Sequence, residues 1–219
     1  TPAGLAAYMR RDGRDALYWV LTGLAALAPL LFAAWWLRPS WNAGFAVSLW
    51  LSVGATMLVY LGVAATTRSG WRLAPLLLPY LSAVGALATV WSATPGPALS
   101  AGEASAWLPA HIAIALAAYA LVTLAGVAAA CVVAQEFALK RKRPSRLSRL
   151  LPSIAEAEAL QMQLLFAGEA VLGAGLISGM AVEYLTEAQL LRVDHKTIFV
   201  LATFLVIGVL IALHLRTGI

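Results

Sequence analysis

Cysteine is almost absent from this chain. Its single copy, Cys131, leaves no partner for an internal disulfide and no Cys-x-x-Cys pair. Thiol-redox chemistry would need a second thiol from another protein. Set in an apolar run, Cys131 reads as small-residue packing. Charge is also scarce, at 11% of residues, which excludes an ordinary soluble domain. The chain has three histidines, no His-Glu-x-x-His, and no trio of ligand residues at helical spacing, so zinc catalysis is not expected. Alternating apolar and polar segments are missing too, which argues against a membrane barrel. We find no internal repeat and no low-complexity segment.

What the chain has is long apolar runs. Hydrophobic residues make up 62% of it and the mean hydropathy is +0.84. A helix of about 20 residues crosses roughly 30 Å of hydrocarbon, and six windows are long enough. They run from about Leu17 to Leu37, Gly44 to Ala65, Leu73 to Ala93, His111 past Cys131 and Val133, Leu160 to Val182, and His195 to Leu215. Pro75 is tolerable at the start of the third; Pro79 should kink it. Ser153 followed by Glu156 fits a capping box, so a helix restarts there before the fifth span. The expected fold is all-α: one polytopic transmembrane domain over residues 1–219, with six spans. The sequence starts at Thr1 with no evident signal peptide.

The net charge of +5 and pI near 9.7 would elsewhere hint at nucleic acid. In a membrane chain the better reading is cytoplasmic retention of bases and contact with anionic lipid, with no nucleic acid as partner. With the N-terminus in the cytoplasm, the 15 lysines and arginines divide 12 to 3. Arg10, Arg11, Arg14, Arg68, Arg72, Lys140, Arg141, Lys142, Arg143, Arg146, Arg149 and Arg216 fall inside; Arg38, Arg192 and Lys196 fall outside. Both termini are therefore expected in the cytoplasm, with His111 and His195 at the outer face and His214 near the inner one.

His111 and His195 both open helices, where the positive end of the dipole favours neutral imidazole, the form that binds iron. If the fourth and sixth helices are neighbours, the two reach one ligand from opposite sides. His214 lies 19 residues beyond His195, about 28 Å along a helix, so any site there is separate. Haem b suits such residues: it needs one or two axial ligands, an apolar pocket, and cations for its propionates. Arg192 and Lys196 flank His195 and could supply those cations. Trp91 and Trp107, at the same level, fit either a porphyrin face or the ordinary aromatic belt. Glu169 falls inside the fifth span, where an ionisable group is costly and by default suggests function; a proton-linked transporter would use it. Gly175-Leu-Ile-Ser-Gly179 is a small-xxx-small stripe suited to packing a neighbouring helix. Met162 and Met180 read as ordinary span residues.

Several segments then resemble a known family. Trp107-Leu-Pro-Ala-His111-Ile, with Tyr119 beyond, resembles the histidine-bearing helix of the cytochrome c assembly proteins, the CcsA/CcmC/HemX superfamily. Leu176-Ile-Ser-Gly179-Met-Ala-Val182 looks like the stretch ahead of that family's tryptophan-rich loop. Asp194-His195-Lys196-Thr197, with the span ending Leu213-His214-Leu-Arg216, resembles the helix after it. Arg68-Ser-Gly-Trp71 between two spans is similar to the YpjD/HemX-like branch.

The resemblance implies haem handling at the outer face of a bacterial-type inner (plasma) membrane. It implies His111 as an outer haem ligand and His214 as the histidine near the inner end of a span. His195 stands where many relatives carry proline, so its role is not inherited. Tyr184 to Asp194 holds no tryptophan, which favours a haem-binding, regulatory or accessory role over direct ligation of haem to apocytochrome. The function so implied is haem handling linked to cytochrome c biogenesis or to control of tetrapyrrole synthesis, with no bond-making active site. The partners implied are the bilayer and other membrane proteins of cytochrome c assembly. A reading from another class is a structural or assembly subunit of a larger membrane complex.

Overall fold

The structure, a computed structural model, describes residues 15–37, 41–42, 44–93, 98–99, 107–142, 145–187 and 194–217. It is all-helical apart from a two-residue ladder. The helices are α1 (Ala16–Leu37), α2 (Phe45–Thr66), α3 (Ala74–Val90), α4 (Trp107–Lys140), α5 (Ile154–Glu187) and α6 (His195–Thr217). Six helical segments are long and apolar enough to cross a membrane; the third includes the 3₁₀ turn Gly70–Leu73 ahead of α3. The expected fold class holds, and so do the six span positions. Pro79, expected to kink the third span, lies inside α3, which runs as one helix from Ala74 to Val90.

Strands β1 (Trp41–Asn42) and β2 (Ala98–Leu99) pair antiparallel. They tie the α1–α2 connection to the α3–α4 connection, so both lie at one end of the bundle.

Helix α2 packs against α1, α3 and α4 and forms the centre of the first half. Tyr60 on α2 is fully buried and cannot leave its hydroxyl unpaired in an apolar core. It donates to the Trp71 carbonyl at 3.1 Å and bonds the Tyr18 hydroxyl of α1, so one side chain joins three segments. The turn after α2 needs Gly70, because a Cβ there would stand 2.8 Å from the Val63 carbonyl oxygen. Cys131 is fully buried in α4, as packing requires.

Helices α4 and α5 have 34 residues each, about 51 Å, and so overrun a 30 Å hydrocarbon layer. They form an antiparallel hairpin, the most extensive helix pair in the molecule. Its closed end is stitched by polar groups. Gln135 donates from Nε2 to the carbonyls of Ser148 at 2.8 Å and Pro152 at 2.9 Å. The capping box forms: Ser153 N–H donates to Glu156 Oε2 at 3.0 Å and Glu156 N–H to Ser153 Oγ at 3.4 Å. Along the shaft, glycines of α5 admit α4 side chains. A Cβ on Gly168 would meet Val122 at 3.2 Å, and one on Gly175 would meet Ile114 at 3.6 Å.

Large apolar side chains such as Leu31, Ile177, Leu205 and Leu215 face outward. An exposed apolar surface of this extent is a surface for lipid, and the molecule is a multi-pass membrane protein. Replacing Gln135 with Ala strips two donors from the hairpin turn. We expect a loss of about 1–2 kcal/mol, read as a fall of a few degrees in Tm in detergent solution.

Candidate functional site

A cavity of about 530 Å³ opens between α4, α5 and α6. That volume lies in the range of small-molecule and cofactor pockets. His111, Tyr119 and Val122 line it from α4; Leu172, Gly179 and Glu183 from α5; Thr197, Phe199 and Thr203 from α6. Its walls are apolar except for a few hydroxyls, one carboxylate and one imidazole.

His111 sits in the first turns of α4 and is half-buried. Its ring lies on the bare backbone of Gly179: a Cβ there would stand 3.1 Å from His111 Cε1. The preceding residue, Ser178, places Oγ 2.8 Å from His111 Nδ1 and also donates to the Gly175 carbonyl at 3.0 Å. The small-residue stripe therefore packs a neighbour, as expected, and that neighbour is the histidine-bearing helix.

Tyr119 also lines the cavity, and its hydroxyl stands 3.1 Å from that of Tyr80 on α3. Asp194 caps α6 by accepting from the Thr197 N–H at 2.9 Å and the Thr197 hydroxyl at 3.1 Å. This fixes the first turn of α6, whose Thr197 lines the cavity.

The other expected residues fall elsewhere. His195 is exposed and does not line the cavity, although α6 does form one wall. Arg192 lies outside the described residues, as does the Lys196 side chain. His214 occupies the last turn of α6, 17 residues beyond Thr197 and so about 25 Å away along the helix. Among the described residues, His111 is thus the one imidazole at this cavity. Trp91 packs edge-on against Phe45 with ring centroids 6.0 Å apart, and neither Trp91 nor Trp107 lines the cavity.

Glu169 sits away from the cavity, against α6. A Cβ on Gly208 would lie 3.2 Å from Glu169 Oε1, and Oε2 is buried without a hydrogen-bond partner.

Reasoning from sequence passes over Ser178, Glu183, Thr197 and Phe199. The signal for one of them, Glu183, was present: Gly175, Gly179 and Glu183 recur every four residues, which places them on one helical face. Met180, read as an ordinary span residue, does line the cavity.

Comparison with known proteins adds identity to this geometry. A family model described as "Cytochrome C assembly protein" matches residues 17–219. An "Uncharacterized 28.8 kDa protein in nifR3-like 5'region" of Azospirillum brasilense is 45% identical over 223 residues. The match covers all of this chain and 82% of that relative. No solved structure matches.

Gly179→Leu should drive a side chain into the space of the His111 ring. We expect a cost of about 1–3 kcal/mol, together with faster modification of His111 by diethyl pyrocarbonate, located by peptide mass spectrometry.

Proposed function

The chain belongs to the cytochrome c assembly protein family, and from that premise we propose that it binds a b-type haem in the His111 cavity and handles it for cytochrome c biogenesis or for control of tetrapyrrole synthesis. One observation carries the proposal: a single imidazole, buttressed by Ser178 and Gly179, borders an apolar cavity of about 530 Å³. The residues fit the group. His111 would hold the iron and Leu172 and Phe199 would form apolar walls; Arg192 and Lys196, which lie outside the described side chains, keep the role of propionate partners that the sequence suggests. When bound, haem would supply an iron centre whose chemistry is set by the protein groups around it. The chain's own part is to bind, orient and shelter it, with no bond-making step.

The 12-to-3 division of basic residues supports cytoplasmic termini and an outer-face His111 in a bacterial-type inner membrane. His214, near the opposite end of α6, belongs to a separate inner site, and His195 is a weaker candidate than either. The absence of tryptophan between Tyr184 and Asp194 favours the YpjD/HemX-like branch and an accessory or regulatory role. One transmembrane domain, working with other membrane proteins of cytochrome c assembly, completes the reading. Helix α6 leaves its apolar surface open to lipid or to such partners: 11% of its apolar window is buried, against 39% for α2.

Purified protein should show a Soret band and a b-type pyridine haemochrome. His111→Ala should lower haem retention at least about tenfold. A Soret band that persists after replacement of all three histidines would falsify the proposal. Alkaline phosphatase fused after Lys142 should be inactive, whereas fusion after Ser100 should be active; the reverse pattern would invert the orientation.

A further inference from the structure

We propose that Ser178 is a positioning residue that fixes the tautomer of His111, leaving Nε2 as a bare lone pair and making the cavity selective for a metalated porphyrin over the metal-free ring. This rests on the haem reading for its ligand, but the tautomer itself does not.

The argument counts protons. Ser178 Oγ makes two short contacts, one to the Gly175 carbonyl oxygen at 3.0 Å and one to His111 Nδ1 at 2.8 Å. A serine hydroxyl has one proton. Two oxygens 3.0 Å apart with no proton between them would repel, so the hydroxyl proton goes to the Gly175 carbonyl. The contact to Nδ1 is then a hydrogen bond only if the imidazole supplies the proton. His111 Nδ1–H therefore donates to Ser178 Oγ, which donates to Gly175 C=O. In this direction both contacts are satisfied, and each bond polarises the next. In the opposite tautomer, Ser178 would have to turn its proton to Nδ1, leave Gly175 oxygen facing oxygen, and expose an Nε2–H to the cavity.

Sterics then hold the ring where the proton count leaves it. The imidazole lies on Gly179, with Cε1 3.1 Å from the place a Cβ would occupy and both nitrogens within 3.8 Å of it. Nδ1 is committed to α5, so the nitrogen left for the cavity is Nε2. A bare Nε2 can coordinate iron but cannot donate to an oxygen. It therefore adds affinity for a ring that carries a metal and little for one that does not. A partner that orients the distal nitrogen of a ligating histidine is the recurrent way proteins set ligand basicity, and its loss costs about 10–100-fold in affinity.

The test uses the full chain in detergent micelles with two probes, iron(III) protoporphyrin IX and metal-free protoporphyrin IX, alongside ¹⁵N NMR of ¹⁵N-histidine-labelled protein without ligand. The His111 signals are identified by their loss in His111→Gln. In the parent protein, Nδ1 should carry the proton and Nε2 should show the shift of an unprotonated nitrogen. Ser178→Ala should erase that preference and weaken the iron porphyrin about 10–100-fold while leaving metal-free affinity unchanged. Ser178→Thr, which keeps the hydroxyl, should restore both readouts.

An Nε2-protonated His111 in the parent would overturn the proposal whatever the porphyrins do. Equal weakening of both porphyrins in Ser178→Ala would also overturn it, since that marks a deformed cavity rather than a lost proton acceptor. If neither porphyrin binds the parent while Nδ1 carries the proton, the haem reading fails and the tautomer assignment stands.

Discussion

The pairing of α4 with α5 is the constraint on which the rest of the molecule depends. In hydrocarbon, two apolar helices gain nothing by leaving lipid for each other; they associate through close packing and hydrogen bonds. The chain supplies the first with Gly168, Gly175 and Gly179, which bring α5 up against Val122, Ile114 and His111. It supplies the second at both ends of the pair. Gln135 closes the hairpin turn at one end, and His111 with Ser178 joins the helices near the other. The bond that orients the imidazole therefore also belongs to the helix interface, and neither role can change without the other.

The same solvent sorts the polar side chains into two groups. Most are spent locally: Ser52, Thr56, Ser82, Thr89 and Thr203 each donate back to a carbonyl four residues earlier. A few reach across segments, as Tyr60 does to Tyr18 and Trp71. Against this background the unpartnered buried oxygen of Glu169 and the unpartnered Trp50 Nε1 stand out. Glu169 lies against Gly208 of α6, away from the cavity lining. It belongs to the α5–α6 contact rather than to the site, which separates the question of its protonation from that of haem.

How much of this was legible in the sequence follows from how local each feature is. Hydropathy marks the spans because crossing a membrane is a property of one segment. The capping box of Ser153 and Glu156 is legible for the same reason, being closed within four residues. The helix limits are less so. Hydropathy ends the fourth and fifth spans at polar residues, yet α4 continues through Gln135 and Glu136 to Lys140 and α5 runs past Val182 to Glu187; the start of α5 at Ile154, by contrast, was marked by the capping box. Antiparallel packing and capping, not apolar content, carry the helices past the hydrocarbon. The site is the least local feature. That α6 faces the cavity through Thr197 and not His195 turns on about 200° of helical rotation between them. No pattern within α6 decides it, because the apolar residues surround that helix on every side. His111 could be picked out alone; its partner Ser178, 67 residues away, could not.

The cavity's three walls are not held alike, and the difference bears on what it can do. Helices α4 and α5 are locked together along their length, so the wall bearing His111 keeps its shape. Helix α6 packs mainly on α5 and leaves most of its surface outside. A site that keeps its ligand closes around it on all sides. Here the one imidazole among the described lining residues stands on the firm wall, and Thr197 and Phe199 belong to the lightly held wall opposite. Under the proposed reading, His111 would orient haem from the fixed wall, and the route out would lie by the helix that costs least to move. That suits a protein for which haem is cargo better than one for which it is a permanent cofactor.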